Sequence, residues 1–168
     1  MNYDSSKETM RHKKILNFIA NTEILPKLLE RYHHHDESKL MDAEEKAGYD
    51  YYVPLLNEVK YGTEEYRNIR EQMNKNCFAL HAKHNSHHPE HYPDGVNDMD
   101  LFDLIEMFTD WLSASMVSDT EFKKGLEFNI ERFDISPQLA SILRNTYFRY
   151  FKEFDVPEDL KKLQKEGE

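Results

Sequence analysis

The chain carries a run of three histidines followed by an acid, His33-His34-His35-Asp36, with Lys39 shortly after it. A histidine directly before an aspartate offers one nitrogen and one carboxylate ligand, a pair that suits Zn, Fe, Mn, Ni or Co. Two such groups do not complete a metal site, so other parts of the chain must supply the remaining ligands. The run therefore predicts a metal site only if distant residues converge on it.

Other residues that could complete the site lie far from this run in the sequence. They are one histidine upstream and three residues downstream: His12, His84, His88 and Asp110. His84 and His88 are four residues apart, so both side chains can point to one centre if a helix spans them. Asp110 lies among apolar neighbours, where a carboxylate is costly unless it is paired or bound to a metal. The set predicts a site of mixed nitrogen and oxygen ligands.

Each of these residues also has a purely structural interpretation. The histidine run suits the end of a helix, where positive charge is favourable. His12 suits an exposed helix face, and Asp110 suits a cap or an ion pair. The choice among the middle histidines stays open: His81, His84, His87 and His88. The order of all these candidates along one chain favours a metal site over separate accidents.

Helices should position the first candidates. Apolar residues recur at helical spacing over residues 6–21, and Thr22 can cap a second helix with Pro26 in its first turn. This second helix would run into the histidine run. Asp42 and Glu45 form a capping-box pattern, which predicts a third helix to about residue 59 with a kink or break at its proline, residue 54.

Helices should also position the later candidates. Thr63 can cap a helix over residues 64–88, and the loop 89–99 is rich in turn residues. Further helices are predicted from Asp100 onwards. Their start signals are the acid itself, a second capping-box pattern and a serine–proline cap: Asp100, Ser118 with Glu121, and Ser136-Pro137. A short tail helix is predicted after the last proline, residue 157.

The composition indicates one globular domain over residues 1–168, with the motifs in about 10–115 and helices over 119–165 completing the bundle. The 168 residues are 39% apolar and 12% aromatic, enough to form a packed core. Five glycines and six prolines are few for an all-β protein. We therefore predict an all-α, single-domain bundle of about six to eight helices.

The formal net charge of −10 disfavours binding to duplex nucleic acid or to an anionic membrane. It permits a small phosphorylated substrate, because a bound metal reverses the local charge. The single cysteine, Cys77, excludes an intramolecular disulfide framework and suits a reducing compartment. With no apolar run of membrane-spanning length and no signal region, the expected location is the cytoplasm, or a host cytoplasm for a viral gene.

The order of the candidate ligands resembles that of the HD-domain metal-dependent phosphohydrolases. That pattern has an early histidine, a His-Asp pair, further histidines and a later aspartate, here His12, His35-Asp36, His84 with His88, and Asp110. The chain is most similar to a small uncharacterised HD-like family of bacteria and phages. The similarity lies in three stretches: His35-Asp36-Glu37-Ser38-Lys39, Asn85-Ser86-His87-His88 and Asp110-Trp111.

The resemblance implies an HD-like helical bundle centred on His35 and Asp36. One or two divalent metal ions (Mn, Fe, Zn, Co or Ni) would then activate water for hydrolysis of a nucleotide or another small phosphate ester. Six ligands would hold two ions, with Asp36 as a bridge: His12, His35, Asp36, His84, His88 and Asp110. Lys39 would hold a substrate phosphate as a point charge. The candidate catalytic residues are Asp36, Lys39, His84 and His87, and an unligated histidine such as His81 or His87 would be the general acid.

Two other functions fit the same residues. A six-ligand set permits a di-iron oxygenase of HD-like fold, and a third possibility is a non-catalytic, metal-stabilised helical binding module. The aromatic C-terminal helix either completes the core or forms the face of a homodimer. Its aromatic residues are Tyr147, Phe148, Tyr150, Phe151 and Phe154.

Overall fold

A computed structural model describes residues 5–60, 62–118, 120–157 and 159–160, and every regular element in these ranges is helical. This confirms the predicted all-α class. The α-helices of the described residues are α1 (Ser6–Ile19), α2 (Leu25–His33), α3 (Ser38–Met41), α4 (Ala43–Glu58), α5 (Glu64–Met73), α6 (Ala79–His84), α7 (Leu101–Val117), α8 (Phe122–Arg132) and α9 (Pro137–Thr146). Short π-helical turns follow α1, α5 and α9 at Ala20–Ile24, Asn74–Phe78 and Tyr147–Phe151.

The N-terminal helices α1 and α2 form one continuous helix through the first π turn. The predicted cap at Thr22 is therefore wrong, because the Thr22 hydroxyl lies inside the helix and donates to the carbonyl of Phe18 at 2.9 Å. Pro26 follows within the first turn of α2. Proline lacks an N–H and clashes with the carbonyl four residues earlier, and a π turn relieves such a conflict without ending the helix.

Helix α4 begins at the predicted cap, but only half of the capping box forms. The Asp42 carboxylate accepts from the backbone N–H groups of Glu44 and Glu45. The Glu45 side chain does not turn back to the cap, because it is fully buried and accepts hydrogen bonds from Ser38 and His81. Pro54 does not divide the helix, which is continuous from Ala43 to Glu58.

The helix predicted over residues 64–88 begins as expected and ends early. Thr63 caps α5 by accepting from the backbone N–H of Tyr66. After the second π turn, α6 stops at His84, because Asn85 adopts an extended backbone and its side-chain amide donates to the His81 carbonyl at 2.8 Å. Residues 87 and 88 therefore lie in a turn beyond the helix, and His84 and His88 do not share a helical face.

Helices α7, α8 and α9 enclose the main apolar core. Its buried members are Phe108, Leu112, Phe122, Leu126, Ile135, Ala140 and Leu143, with Tyr147 and Phe151 packed against them. Ser136 caps α9 as predicted. The Ser118–Glu121 capping box does not form, because the Ser118 hydroxyl donates back to Ala114 and thereby closes the end of α7.

The described helices can be compared with the expected absence of a membrane span, but only a small part of the predicted tail helix lies within the described residues. No described helix is both long enough and apolar enough to cross a membrane. The predicted tail helix after residue 157 falls mostly outside the described residues. The proposed domain boundaries stay predictions.

Candidate metal centre

One face of α7 carries three acids at helical spacing, Asp103, Glu106 and Asp110, because residues three and four positions apart lie one above the other. Asp103 and Glu106 are buried. Arg31 of α2 reaches both, with Nη2 at 2.5 Å from Asp103 Oδ1 and Nε at 2.7 Å from Glu106 Oε2. Ser86 also donates to Asp103, at 2.7 Å. This network holds α2, the helix that ends in the histidine run, in place against α7.

Four side chains from three parts of the chain converge beside this face. Ligand atoms of Asp36, His81, His87 and His88 all lie within 4.8 Å of one another. Asp36 Oδ1 is 3.1 Å from Nε2 of His81 and 3.5 Å from Nε2 of His87. Nε2 of His81 and Nε2 of His88 are 2.8 Å apart, a separation at which two imidazole nitrogens repel unless a proton or a cation lies between them. Three imidazoles and one carboxylate thus present their ligand atoms to one point.

Two buried glutamates determine which nitrogen each histidine presents. Glu45 lies 2.7 Å from Nδ1 of His81 and 3.3 Å from Nδ1 of His84. Glu106 lies 2.9 Å from Nδ1 of His35 and 3.3 Å from Nδ1 of His87. A carboxylate that accepts from Nδ1–H leaves Nε2 as the ligand atom, an arrangement usual behind metal-bound histidines. The Nε2 atoms of His81 and His87 face Asp36 for this reason.

A second group lies on the other side of Asp36. His35, His87 and Glu106 also place ligand atoms within 4.8 Å of one another. We assign Glu106 an orienting role, because its oxygens already accept from Arg31 and from two histidines. Nε2 of His35 lies 3.4 Å from Asp110 Oδ1 and 3.7 Å from Asp36 Oδ2. His35, Asp110 and the second oxygen of Asp36 therefore form a further nitrogen–oxygen set.

Two buried atoms of the cluster have no hydrogen-bond partner among the described residues, Asp36 Oδ1 and His87 Nε2. Such buried polar atoms are rare and destabilising in proteins. Asp36 also has a backbone φ of 58°, in the left-handed region that costs a non-glycine residue about 1 kcal/mol or more. A divalent cation fits this donor set, because it would satisfy both atoms and would hold the aspartate in its strained position.

Burial, hydrogen bonds and neighbouring charges shift the pKa values of several groups in the centre. Burial of His35 opposes protonation, but hydrogen bonds to Asp110 and Glu106 outweigh it and raise the pKa of His35 to about 10. Burial of Glu106 is likewise outweighed, by the hydrogen bonds from His35 and His87, and the pKa of Glu106 falls to about 2. Burial, together with the charges of His87 and His81, lowers the pKa of His88 to about 3. His88 is therefore a neutral imidazole, the form that binds metal.

Lys39 contacts the centre from its exposed side. Its ammonium lies 2.5 Å from Asp36 Oδ2 and 5.0 Å from the centre of the Tyr49 ring. Burial of the Asp36 carboxyl is outweighed by the close approach of His81 and His87 and by the charge of Lys39, which hold its pKa well below its usual range. Asp36 is therefore a carboxylate at any pH at which the protein would work.

The structure brings together some of the residues predicted from the sequence and leaves others apart. His35, Asp36, Lys39, His87, His88 and Asp110 meet in the centre. His12 is exposed on α1 and belongs to neither ligand group among the described residues. His84 belongs to neither group, because its position on α6 directs its Nδ1 towards Oε2 of Glu45, the oxygen that His81 does not contact.

Sequence reasoning left His81 as an open choice and missed three orienting residues, Arg31, Glu45 and Glu106. A signal for Glu106 was present, since it shares the spacing of Asp103 and Asp110 on an otherwise apolar helix. Glu45 gave no such signal, because its position also suits a capping box. No residue of the centre lines the apolar cavity of about 360 Å³ between α7 and the C-terminal segment, which includes Met116 and Phe154.

The fold and the centre together define an all-α protein with a buried histidine–carboxylate cluster that could hold a metal ion. The chain belongs to the family of unknown function DUF5662, whose model matches residues 1–148. The matched region contains every residue of the centre. Comparisons with curated proteins and with solved structures gave no match.

Proposed function

We propose that the protein is a metal-dependent phosphohydrolase that acts on a nucleotide or another small phosphate ester. The observation that carries the proposal is the convergence of Asp36 Oδ1 with the Nε2 atoms of His81, His87 and His88. Two of these atoms are buried and have no hydrogen-bond partner in the part of the chain that the structure describes. The resemblance of the His35–Lys39 stretch to HD-domain phosphohydrolases supports the reaction class. The buried cluster supports the metal.

The donor set fits one or two divalent ions. Asp36 Oδ1 and the three histidines would hold the first ion. His35 Nε2, Asp110 Oδ1 and Asp36 Oδ2 would contribute to a second, and Asp36 would bridge the two. Compared with the ligands expected from the sequence, His81 and His87 replace His12 and His84. A divalent ion bound there would lower the pKa of a coordinated water towards neutrality and would polarise a phosphoryl oxygen.

The protein's own residues have separate tasks in this proposal. Lys39 can exchange its contact with Asp36 for a substrate phosphate oxygen, because its side chain is about one-third exposed and its charge is compact. His84 is the remaining candidate for the general acid, since it is exposed and its Nδ1 faces Glu45. His87 loses that role, because its Nε2 is buried within the ligand cluster.

The proposal is tested by metal analysis and a phosphoester screen on matched variants. Purified wild-type protein, loaded with Mn²⁺, Fe²⁺, Co²⁺, Ni²⁺ or Zn²⁺ and dialysed, is expected to retain metal and to release phosphate from at least one nucleotide or simple phosphomonoester. Asp36→Asn should lose both properties. His12→Ala should keep both, because His12 lies outside the cluster. Metal retention by Asp36→Asn equal to that of wild type would contradict the proposed site.

A di-iron oxygenase is the second candidate, because a bridging carboxylate among histidines and a further aspartate is a donor set that also suits iron. The same preparations separate the two functions. Two iron atoms per chain with a mixed-valent electron paramagnetic resonance signal and no phosphate release would favour the oxygenase. A tightly bound metal without either activity would favour a non-catalytic, metal-stabilised module.

A further inference from the structure

The long N-terminal helix leaves an extensive apolar surface uncovered. No residue of α1 is buried, and within the described residues α1 makes extensive contacts only with the π turn into which the same helix continues, so no separate element packs extensively against it. The large apolar side chains of α1, the π turn and α2 that are at least 40% exposed are Met10, Ile15, Leu16, Phe18, Ile19, Ile24, Leu25, Leu29 and Tyr32. This surface, which we call the arm face, is separate from the metal centre.

The exposed length of α1, which forms most of the arm, makes a covering partner energetically favourable. Ser6–Ile19 spans about 21 Å at 1.5 Å per residue. A helix of this length is marginal in water unless one face packs against another surface. Phe18 alone is 67% exposed, and leaving such side chains in water forgoes about 25 cal/mol for each Å² that could be buried.

The area of the arm face matches that of a stable protein interface. Half-exposed side chains of this size each offer roughly 80 Å², so the arm face, which extends around more than one side of the helix, offers about 700 Å² in all. A standard interface buries about 800 Å² on each partner. Leu101 and Ile105, on the helix that packs against α2, are also exposed and add apolar surface beside it.

The charge of the arm favours a second copy of the chain as its partner. α1 contains four basic residues, Lys7, Arg11, Lys13 and Lys14, and one acidic residue, in a chain with a formal net charge of −10. A second copy of the chain would offer a negative surface to this positive helix, and complementary charge favours such an association. An anionic membrane would repel the rest of the molecule.

We propose that two copies of the chain form a homodimer in which the arm face of each copy packs against the body of the other copy. Such an exchange is isologous, so it closes at two copies and buries both arms. It is independent of the metal centre, since none of the metal-ligand candidates of the centre lies on the arm face. It differs from a dimer through the C-terminal aromatic helix, because Tyr147 and Phe151 of that helix pack against the core.

The experiment compares two equally exposed phenylalanines. Phe18 lies on the arm face and is 67% exposed, whereas Phe128 of α8 is 63% exposed and lies away from it. Light scattering after size exclusion, over a range of concentrations, is expected to give twice the chain mass of 20.1 kDa for wild type and for Phe128→Glu. Phe18→Glu should raise the dimer dissociation constant more than about tenfold. Far-ultraviolet circular dichroism should show both variants folded, because neither side chain is buried, and any helix lost in monomeric Phe18→Glu should not exceed the length of the arm.

Three results would overturn the proposal. The first is a wild-type monomer at every concentration. The second is a dimer that withstands Phe18→Glu, or that dissociates equally with Phe128→Glu. The third is a monomer that co-floats with phosphatidylserine vesicles and no longer does so after Phe18→Glu. That result would assign the arm face to a membrane surface.

Discussion

The two buried glutamates control how the histidines of the centre present their nitrogens. Glu106 accepts from His35 and His87, so Glu106→Gln should release both rings and allow the wrong tautomer. We expect the metal dissociation constant to rise about 10–100-fold, the usual effect of losing such an orienting group. A competition titration with a chromogenic chelator measures this change.

Glu127→Gln is the matched control for that substitution. Glu127 also forms an ion pair, with Arg144, but it lies on the surface of α8 away from the centre. Its removal should leave the metal dissociation constant within about twofold of wild type, because surface pairs contribute little. Equal effects of the two substitutions would show that Glu106 acts only through general stability.

His35 makes metal binding depend on pH. Its pKa is raised to about 10, so the folded protein holds a proton on this ring at neutral pH. That proton stabilises the metal-free fold fully below the ordinary histidine pKa of about 6.5, and the stabilisation is lost as the pH rises through about 10. A metal ion on His35 must displace the proton.

The consequence is tighter metal binding at higher pH. Between about pH 7 and pH 9 the dissociation constant of the second metal ion, the one that His35 would bind, should fall up to about tenfold per pH unit, and calorimetry in buffers of different ionisation enthalpy should detect proton release. His35→Gln should flatten this dependence while keeping the first ion. An affinity that is independent of pH in wild type would exclude His35 as a ligand.

At the scale of single residues, the sequence indicated the centre incompletely. The adjacency of His35 and Asp36 and the apolar surroundings of Asp110 were sufficient to place these residues. The choice of His81 over His84 depends on which face of α6 turns towards Asp36. The positions of His87 and His88 depend on where α6 ends, and that end depends on an Asn85 side chain whose hydrogen bonds to Ser38 and His81 are visible only in three dimensions.

Helix α4 approaches the second π turn closely at Gly48. A methyl group on Gly48 would overlap Cβ of Cys77, which is buried in that turn. Gly48→Ala should therefore lower the free energy of unfolding by about 1–3 kcal/mol, the cost of overpacking. Thermal unfolding followed by circular dichroism measures the change.

Gly125→Ala is expected to change the free energy of unfolding in the opposite direction in the same assay. A methyl group there meets no atom within 4 Å, and alanine favours a helix over glycine by up to about 1 kcal/mol. The variant should be as stable as wild type or more stable. If Gly48→Ala were also stabilising, the described packing of α4 against the π turn would be incorrect.

At the scale of elements, local signals predicted helix starts better than helix ends. The caps at Thr63 and Ser136 act within three residues and formed as expected. The π turn before Pro26 and the burial of Glu45 depend on geometry and contacts that no local pattern specifies. The early end of α6 changed the candidate ligands most, because it placed His87 and His88 in a turn.

At the scale of the whole molecule, composition was sufficient to predict an all-α fold and one apolar core. It did not predict that α1 would lie outside that core, because an amphipathic pattern shows that a helix has an apolar face and does not show what covers it. The same long-range packing brings Asp36, His81 and Asp110 together from three separate regions of the chain.

The central claim is that Asp36, His81, His87 and His88 hold a metal ion. Anomalous diffraction from crystals of the metal-loaded protein, measured on both sides of the metal's absorption edge, tests it directly. The expected result is a peak about 2.0–2.3 Å from the Nε2 atoms of these histidines and from an Asp36 oxygen. A fully loaded protein with no peak there, or with its peak at His12 or His84, would contradict the account.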